Sequence, residues 1–192
     1  MVIKNDRILD AAAEVLAKRP DATLQTIANA AGISRTTIFH KYPTRDDLLE
    51  ALGVDALDRI GKVMEQVPSR KLGDVATVML EVTSGLMPLG PRAAFLRFVP
   101  SEGKILDSYW ADAVTPLAIY VAKAQSQGQL RSDLPTRWLI ASYGGLLFAA
   151  WDEIAEGELG PSQAARLIVD TWLSGVTLKI STRLPTPAAQ TQ

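Results

Sequence analysis

The chain has 192 residues, 20 Lys plus Arg against 21 Asp plus Glu for a formal charge of −1, 47% hydrophobic residues, one histidine and no cysteine. Near-balanced charge argues against holding nucleic acid or membrane by bulk electrostatics, so any nucleic-acid contact must be local. Without cysteine there is no disulfide framework, thiol nucleophile or thiolate metal site, and the lone His40 cannot supply a site that needs two imidazoles.

Helical periodicity recurs from end to end and β-type alternation is almost absent, which predicts an all-α protein of about nine helices. The first is expected over residues 3–18, with Ile8, Ala11, Ala12, Val15 and Leu16 on one stripe and Arg7, Asp10, Glu14 and Lys18 opposite. Charges through the same stretch break any signal-peptide core, so a cytoplasmic location is expected. Thr23 is placed to cap a second, short helix running to Gly32, and Ser34 to cap a third over Arg35 to Lys41 that Pro43 stops. Thr44 with Asp47 three residues on forms a capping signal for a longer helix toward Val67.

Beyond Pro68 the pattern predicts a helix over 74–87, punctuation at Pro88, Gly90 and Pro91, a short segment over 93–99, and a long helix over 104–127 that Pro116 should kink. A last pair is expected over 136–156 and 162–180, followed by a disordered tail, 184–192. The run Trp138 to Trp151 is uncharged over 14 residues. A bilayer span needs roughly 20, so a buried helix is expected and no membrane partner.

Residues 23–42 read TLQTIANAAGISRTTIFHKY. Two short helices joined at a glycine turn can sit at a steep angle, one bracing on DNA backbone while the other enters the major groove. Ile27, Ala28, Ala31, Ile33 and Ile38 are apolar at spacings that hold such an angle. The third helix carries Arg35, Thr36, Thr37, His40 and Lys41. Arg can fork onto guanine, Thr can hydrogen-bond or touch a thymine methyl, and Lys can meet phosphate. Helix starts at Thr23 and Ser34 add phosphate-facing amides.

With AAAEVL in the first helix, DATLQTIANAAGIS next and RTTIFHKYPTRDDLLEAL after it, residues 3–52 resemble the DNA-binding domain of the tetracycline-repressor (TetR) family of transcriptional regulators. The resemblance implies that Arg35, Thr36 and Thr37 approach bases or flanking phosphates, and that Thr23, Lys41 and Arg45 hold the backbone. The stretch Thr37-Ile38-Phe39-His40-Lys41-Tyr42 departs from the family pattern by placing Phe39 where a phosphate-donating tyrosine is usual and Tyr42 where a core phenylalanine is common. Both aromatics, with Ser34 and His40, complete the expected DNA-binding set.

The resemblance further implies a three-helix reading domain over 1–47 and a helical ligand-binding and dimerisation domain over 48–183. The last two helices are apolar on more than one face, which fits an isologous four-helix dimer interface with Tyr143, Leu147, Trp151, Leu167 and Trp172 in it. For a small-molecule effector the candidate lining is Met79, Val82, Leu86, Phe95, Phe98, Tyr109, Trp110, Leu117 and Tyr120, with Glu81, Arg97, Asp112 and Asp152 as candidate polar groups. No cofactor, metal or catalytic residue is expected. The sequence reading is therefore a homodimeric, ligand-responsive repressor on a palindromic double-stranded DNA operator. The competing readings are a helical protein-interaction module and a small helical enzyme, each with a vestigial helix-turn-helix.

Overall fold

The first apolar stripe forms α1 (Asn5–Lys18) in the computed structural model, which describes residues 5–66, 74–93, 96 and 104–177. Ile8, Leu9, Ala12, Ala13 and Leu16 turn inward, while Arg7, Asp10 and Glu14 stay at the surface. Next come α2 (Leu24–Ala30), α3 (Arg35–Lys41) and α4 (Arg45–Met64). Each starts where a hydroxyl meets a helix amide that has no partner inside the helix. Thr23 Oγ1 accepts from the Thr26 N–H at 3.2 Å, and Ser34 Oγ from the Thr37 N–H at 3.1 Å. At α4 the exchange is reciprocal: Thr44 Oγ1 accepts from the Asp47 N–H at 3.1 Å while Asp47 Oδ2 accepts from the Thr44 N–H at 2.8 Å.

Gly32, after α2, has φ +66°. This left-handed turn lets its N–H reach the Asn29 carbonyl and the Ile33 N–H the Ala28 carbonyl, and a side chain there would be strained. The turn sets α3 against α2 over a core of Leu24, Ile27, Ala28, Ile38, Leu48 and Leu52 with the α1 stripe.

Helix α4 serves two cores. Leu48 and Leu52 belong to the first, whereas Leu57, Ile60 and Met64 pack into the second with α5 (Val75–Leu86), α6 (Gly90–Ala93), α7 (Lys104–Ser126), α8 (Thr136–Glu156) and α9 (Pro161–Val176). The changeover thus lies inside α4, a turn or two beyond the boundary expected at residue 47. Helix α7 crosses α4, α9 packs on α5 and α8, and the short α6 touches α1, α4 and α8.

The chain between α5 and α6 does not break as expected. It winds through a turn of 3-10 helix, Met87–Leu89, directly into α6, because Pro88 and Pro91 both sit in first turns, where a missing N–H is tolerated. Most of the segment expected over 93–99 and the tail 184–192 lie outside the described residues. Pro116 is accommodated within α7. Among the described residues there is no strand, no helix long and apolar enough to cross a membrane, and no group of His, Asp or Glu that could hold a metal ion.

Candidate nucleic-acid interface and interior cavity

Ile38 is fully buried and anchors α3, which leaves Arg35, Thr36, Phe39, His40 and Lys41 exposed. No carboxylate holds Arg35 or Lys41 among the described residues. The Arg35 guanidinium lies 5.0 Å from the Phe39 ring centroid, one helical turn away, so its donors remain unspent while its plane has a support. Thr37 is half-buried and its hydroxyl pairs with Ser34 Oγ at 2.7 Å. Ser34 and Thr37 therefore act first as the cap that fixes the start of α3. Thr23 does the same for α2, its hydroxyl also 3.1 Å from that of Thr26. His40 and Lys41 occupy the last turn of α3, where the Lys41 charge favours the helix terminus.

Two of the expected DNA contacts also have partners within the chain. Tyr42 is 5% exposed and packs in the core of the first domain; burial, with the nearby Asp55 carboxylate, pushes its hydroxyl pKa up. It is the core aromatic, with Lys41 Nζ 5.8 Å from its ring centroid, and Phe39, 37% exposed, is the aromatic on the outer face. Arg45 donates Nε to the Ala22 carbonyl at 3.4 Å and its guanidinium also reaches the Pro20 carbonyl. It thereby pins the loop between α1 and α2 to the first turn of α4. The Asp47 carboxyl in that turn is held below the usual carboxylate range by hydrogen bonds from the Thr44 hydroxyl and then the Thr44 amide.

Behind this domain lies a small chamber of about 30 Å³. Ile60 and Met64 come from α4, Leu86 from α5, Trp110, Val114 and Leu117 from α7, and Ile140, Tyr143, Gly144, Leu147, Phe148 and Trp151 from α8. Trp110, Val114, Ile140, Gly144 and Phe148 also line a groove of about 650 Å³ between α7 and α8, where Thr136 and Arg137 add the polar groups. The groove is of the size that small-molecule sites have, whereas the chamber has room for little more than a water. Tyr143 is fixed in its wall: Thr83 Oγ1 donates to the Met79 carbonyl at 2.5 Å, so Tyr143 must donate to Thr83, at 2.8 Å. Burial raises the Tyr143 pKa and keeps that donor neutral.

Of the expected lining, Leu86, Trp110 and Leu117 meet at the chamber. Met79, Val82 and Tyr120 are buried core away from it, and Tyr109 is 43% exposed. Phe95, Phe98 and Arg97 lie outside the described residues. Glu81, Asp112 and Asp152 are on the surface, so among the described residues the chamber wall carries no carboxylate. What the sequence reading missed is the contribution of α8. Its run of apolar residues with paired glycines suggests a partner-facing surface, but only one face of it looks outward, with Gly145; the other is covered by α6, α7 and α9 of the same chain.

Most of the expected dimer contacts lie inside the single chain. Tyr143, Leu147, Trp151 and Trp172 are all buried within their own chain, Trp172 donating Nε1 to the Leu139 carbonyl at 3.1 Å and meeting Tyr143 edge-on at 5.7 Å. Only Leu167 of that set faces out, at 52% exposure. The outward faces of α8 and α9 instead present Trp138, Ala141, Gly145 and Ala149, and Leu167, Thr171 and Ser174.

The family model described as bacterial regulatory proteins, tetR family, matches residues 8–52, which span α1 to the first part of α4. The transcriptional repressor LfrR of Mycolicibacterium smegmatis is 29% identical over 91% of this chain and 89% of its own. The transcriptional regulator NfxB of Pseudomonas aeruginosa is 23% identical over 92% of this chain and 96% of its own. The crystal structure of LfrR in complex with proflavine superposes with a TM-score of 0.76 at 28% identity, covering 94% of this chain and 98% of that one. An exposed helix braced by a capped helix pair, with similarity that continues through the helical domain, has one reading: residues 8–52 form a DNA-binding domain of the tetR type, in a DNA-binding transcriptional regulator that resembles TetR-family proteins along most of its length.

Proposed function

We propose that the chain acts in the cytoplasm as a homodimeric repressor. Two copies of α3 read a palindromic operator, and a small, largely apolar or aromatic molecule entering between α7 and α8 releases it. Arg35, Thr36, Phe39 and His40 face base edges or the sugars beside them, and Lys41 takes phosphate. The exposed faces of α8 and α9, with Trp138 and Leu167 at their centres, form the isologous contact that sets the spacing of the two α3 helices.

The observation that carries the effector part is the apolar groove leading to a chamber walled by α4 itself, since α4 also holds the DNA-reading core. An occupant that widens the chamber must strain the helix that orients α3. Linkage then requires that DNA weaken effector binding by the same factor that effector weakens DNA binding. LfrR in its proflavine complex makes that compound the first probe. Fluorescence anisotropy on a duplex selected by the protein from a random pool should fall when proflavine or another planar aromatic is added. Persistent binding through a panel of such compounds contradicts release by an aromatic effector.

A further inference from the structure

We infer that Trp151, Gly90 and Arg92 form a mechanical link from the chamber to the DNA-reading helices, with Arg92 the positioning residue for α1 and α4. The inference deepens the proposed regulation and rests on it only for what fills the chamber.

Trp151 walls the chamber and is 5% exposed. The Cδ1–Nε1 edge of its indole sits on Gly90, the first residue of α6: a Cβ there would lie 2.6 Å from Cδ1 and 3.0 Å from Cγ. Only the absence of a side chain lets the ring approach so closely. Two residues along the same turn, the Arg92 guanidinium forks, one nitrogen to Asp10 of α1 and the other to Asp55 of α4. Arg92 is buried at 9% exposure, and Asp55 also accepts from Arg59 at 2.9 Å, so the α4 end of the fork is firmly held. With only four residues and neighbours in α1, α4 and α8, helix α6 has no internal slack to absorb a push.

The push has a source. At about 30 Å³ the chamber cannot accept an organic molecule without moving a wall. Phe148, which lines both chamber and groove, meets the Trp151 ring edge-on at 5.4 Å and so connects the groove to it. Trp151 Nε1 is also buried with no hydrogen-bond partner among the described residues. A donor left unmade destabilises the described arrangement, and a rotation that gives it an acceptor would offset part of the work of opening. Trp151 therefore has a reason to move, and Gly90 stands directly against the Cδ1–Nε1 edge of its ring, so a shift in that direction displaces Arg92 and the two carboxylates it holds.

The test needs no effector, so a chamber that binds nothing leaves its outcome unaffected. Gly90→Ala should mimic occupancy and weaken binding to the selected operator about tenfold, within the roughly 5–150-fold span of allosteric couplings. Non-specific DNA binding at low salt and the melting transition should be retained. Adding Trp151→Leu should restore operator affinity. Asp10→Asn, which removes a half-exposed arm of the fork, should make Gly90→Ala nearly silent in the double variant. The link is overturned if folded Gly90→Ala binds operator as tightly as wild type, or if the Gly90 and Asp10 losses multiply as independent effects. Should Gly90→Ala not fold, Arg92→Lys decides: it keeps the charge but cannot span both carboxylates, and wild-type operator affinity in that variant overturns the inference.

Discussion

In the DNA-reading region α2, α3 and α4 each start on a hydroxyl that caps them, Thr23, Ser34 and Thr44, and the core residues Ile8, Leu16, Ile27, Ile38, Leu48 and Leu52 show no exposure at all. In the region behind it, α8 and α9 start at Pro135 and Gly160 without a side-chain cap, and the two buried polar atoms lacking partners among the described residues, Tyr120 OH and Trp151 Nε1, are both found there. The contrast teaches where change of shape is built in. The helices of the reading domain start on local signals that packing also supports, whereas the larger domain keeps two unmet demands, one of them, Trp151 Nε1, on the chamber wall.

The largest expected effect that can break this contrast is at Ile38. Ile38→Ala should cost about 2–5 kcal/mol in urea melts and abolish specific DNA binding, because nothing near it can collapse into the gap. Leu117→Ala, on the chamber wall, should fall at the low end of that range, since its removal enlarges a space that already exists. Equal losses at the two positions would remove the contrast.

Next in size is Arg35→Ala, expected to cost about 1–3 kcal/mol of discrimination at one base pair of each half-site with the melting temperature unchanged. Phe39→Leu, which takes the ring from beneath that guanidinium, should cost about 0.5–1 kcal/mol at the same base pair. Binding to operator variants reads both, and a uniform loss across sequences would place Arg35 on phosphate instead.

Thr44→Ala should cost about 1 kcal/mol by removing one half of the capping box. The partner half gives a pH signature. Because the folded Asp47 carboxyl titrates below its ordinary value near 3.9, its contribution is full above that pH and is lost as the pH falls through the lower folded value. Acid melts of wild type and Thr44→Ala should therefore converge at low pH, and parallel curves would contradict the assignment. Smallest of all, a Cβ at Gly144 meets no atom within 4 Å, so Gly144→Ala should raise stability slightly, by about 0.5–1 kcal/mol, while narrowing the entrance to the chamber. A large loss of stability there would mean that the entrance is packed core.

The same contrast explains what could be read from the sequence. Helix α3 was predicted over Arg35 to Lys41 and is found there, because Ser34 and Pro43 are local signals that tertiary packing does not override. The helix-turn-helix and the TetR resemblance were legible on the same grounds. The places of Tyr42 in the core and of Arg45 on the Ala22 carbonyl were not legible, because a hydroxyl and a guanidinium look alike in sequence whether they meet phosphate or a partner within the chain. Helix α6 was hidden because Gly90 and Pro91 read as breakers, while the reason for Gly90 is an indole 61 residues later in the chain. For Tyr143, Leu147, Trp151 and Trp172, apolar character on several faces of a helix does not distinguish burial by one's own chain from burial by a second copy.

The most direct measurement of the central claim is selection of duplexes from a random pool by the full chain, alongside the double variant Arg35→Ala, Lys41→Ala. The account predicts that wild type enriches an inverted repeat with half-sites about one helical turn or more apart. The double variant should enrich nothing while melting like wild type. Enrichment of the same repeat by the double variant, or of a sequence without two-fold symmetry by wild type, would contradict a dimer that reads its operator through α3.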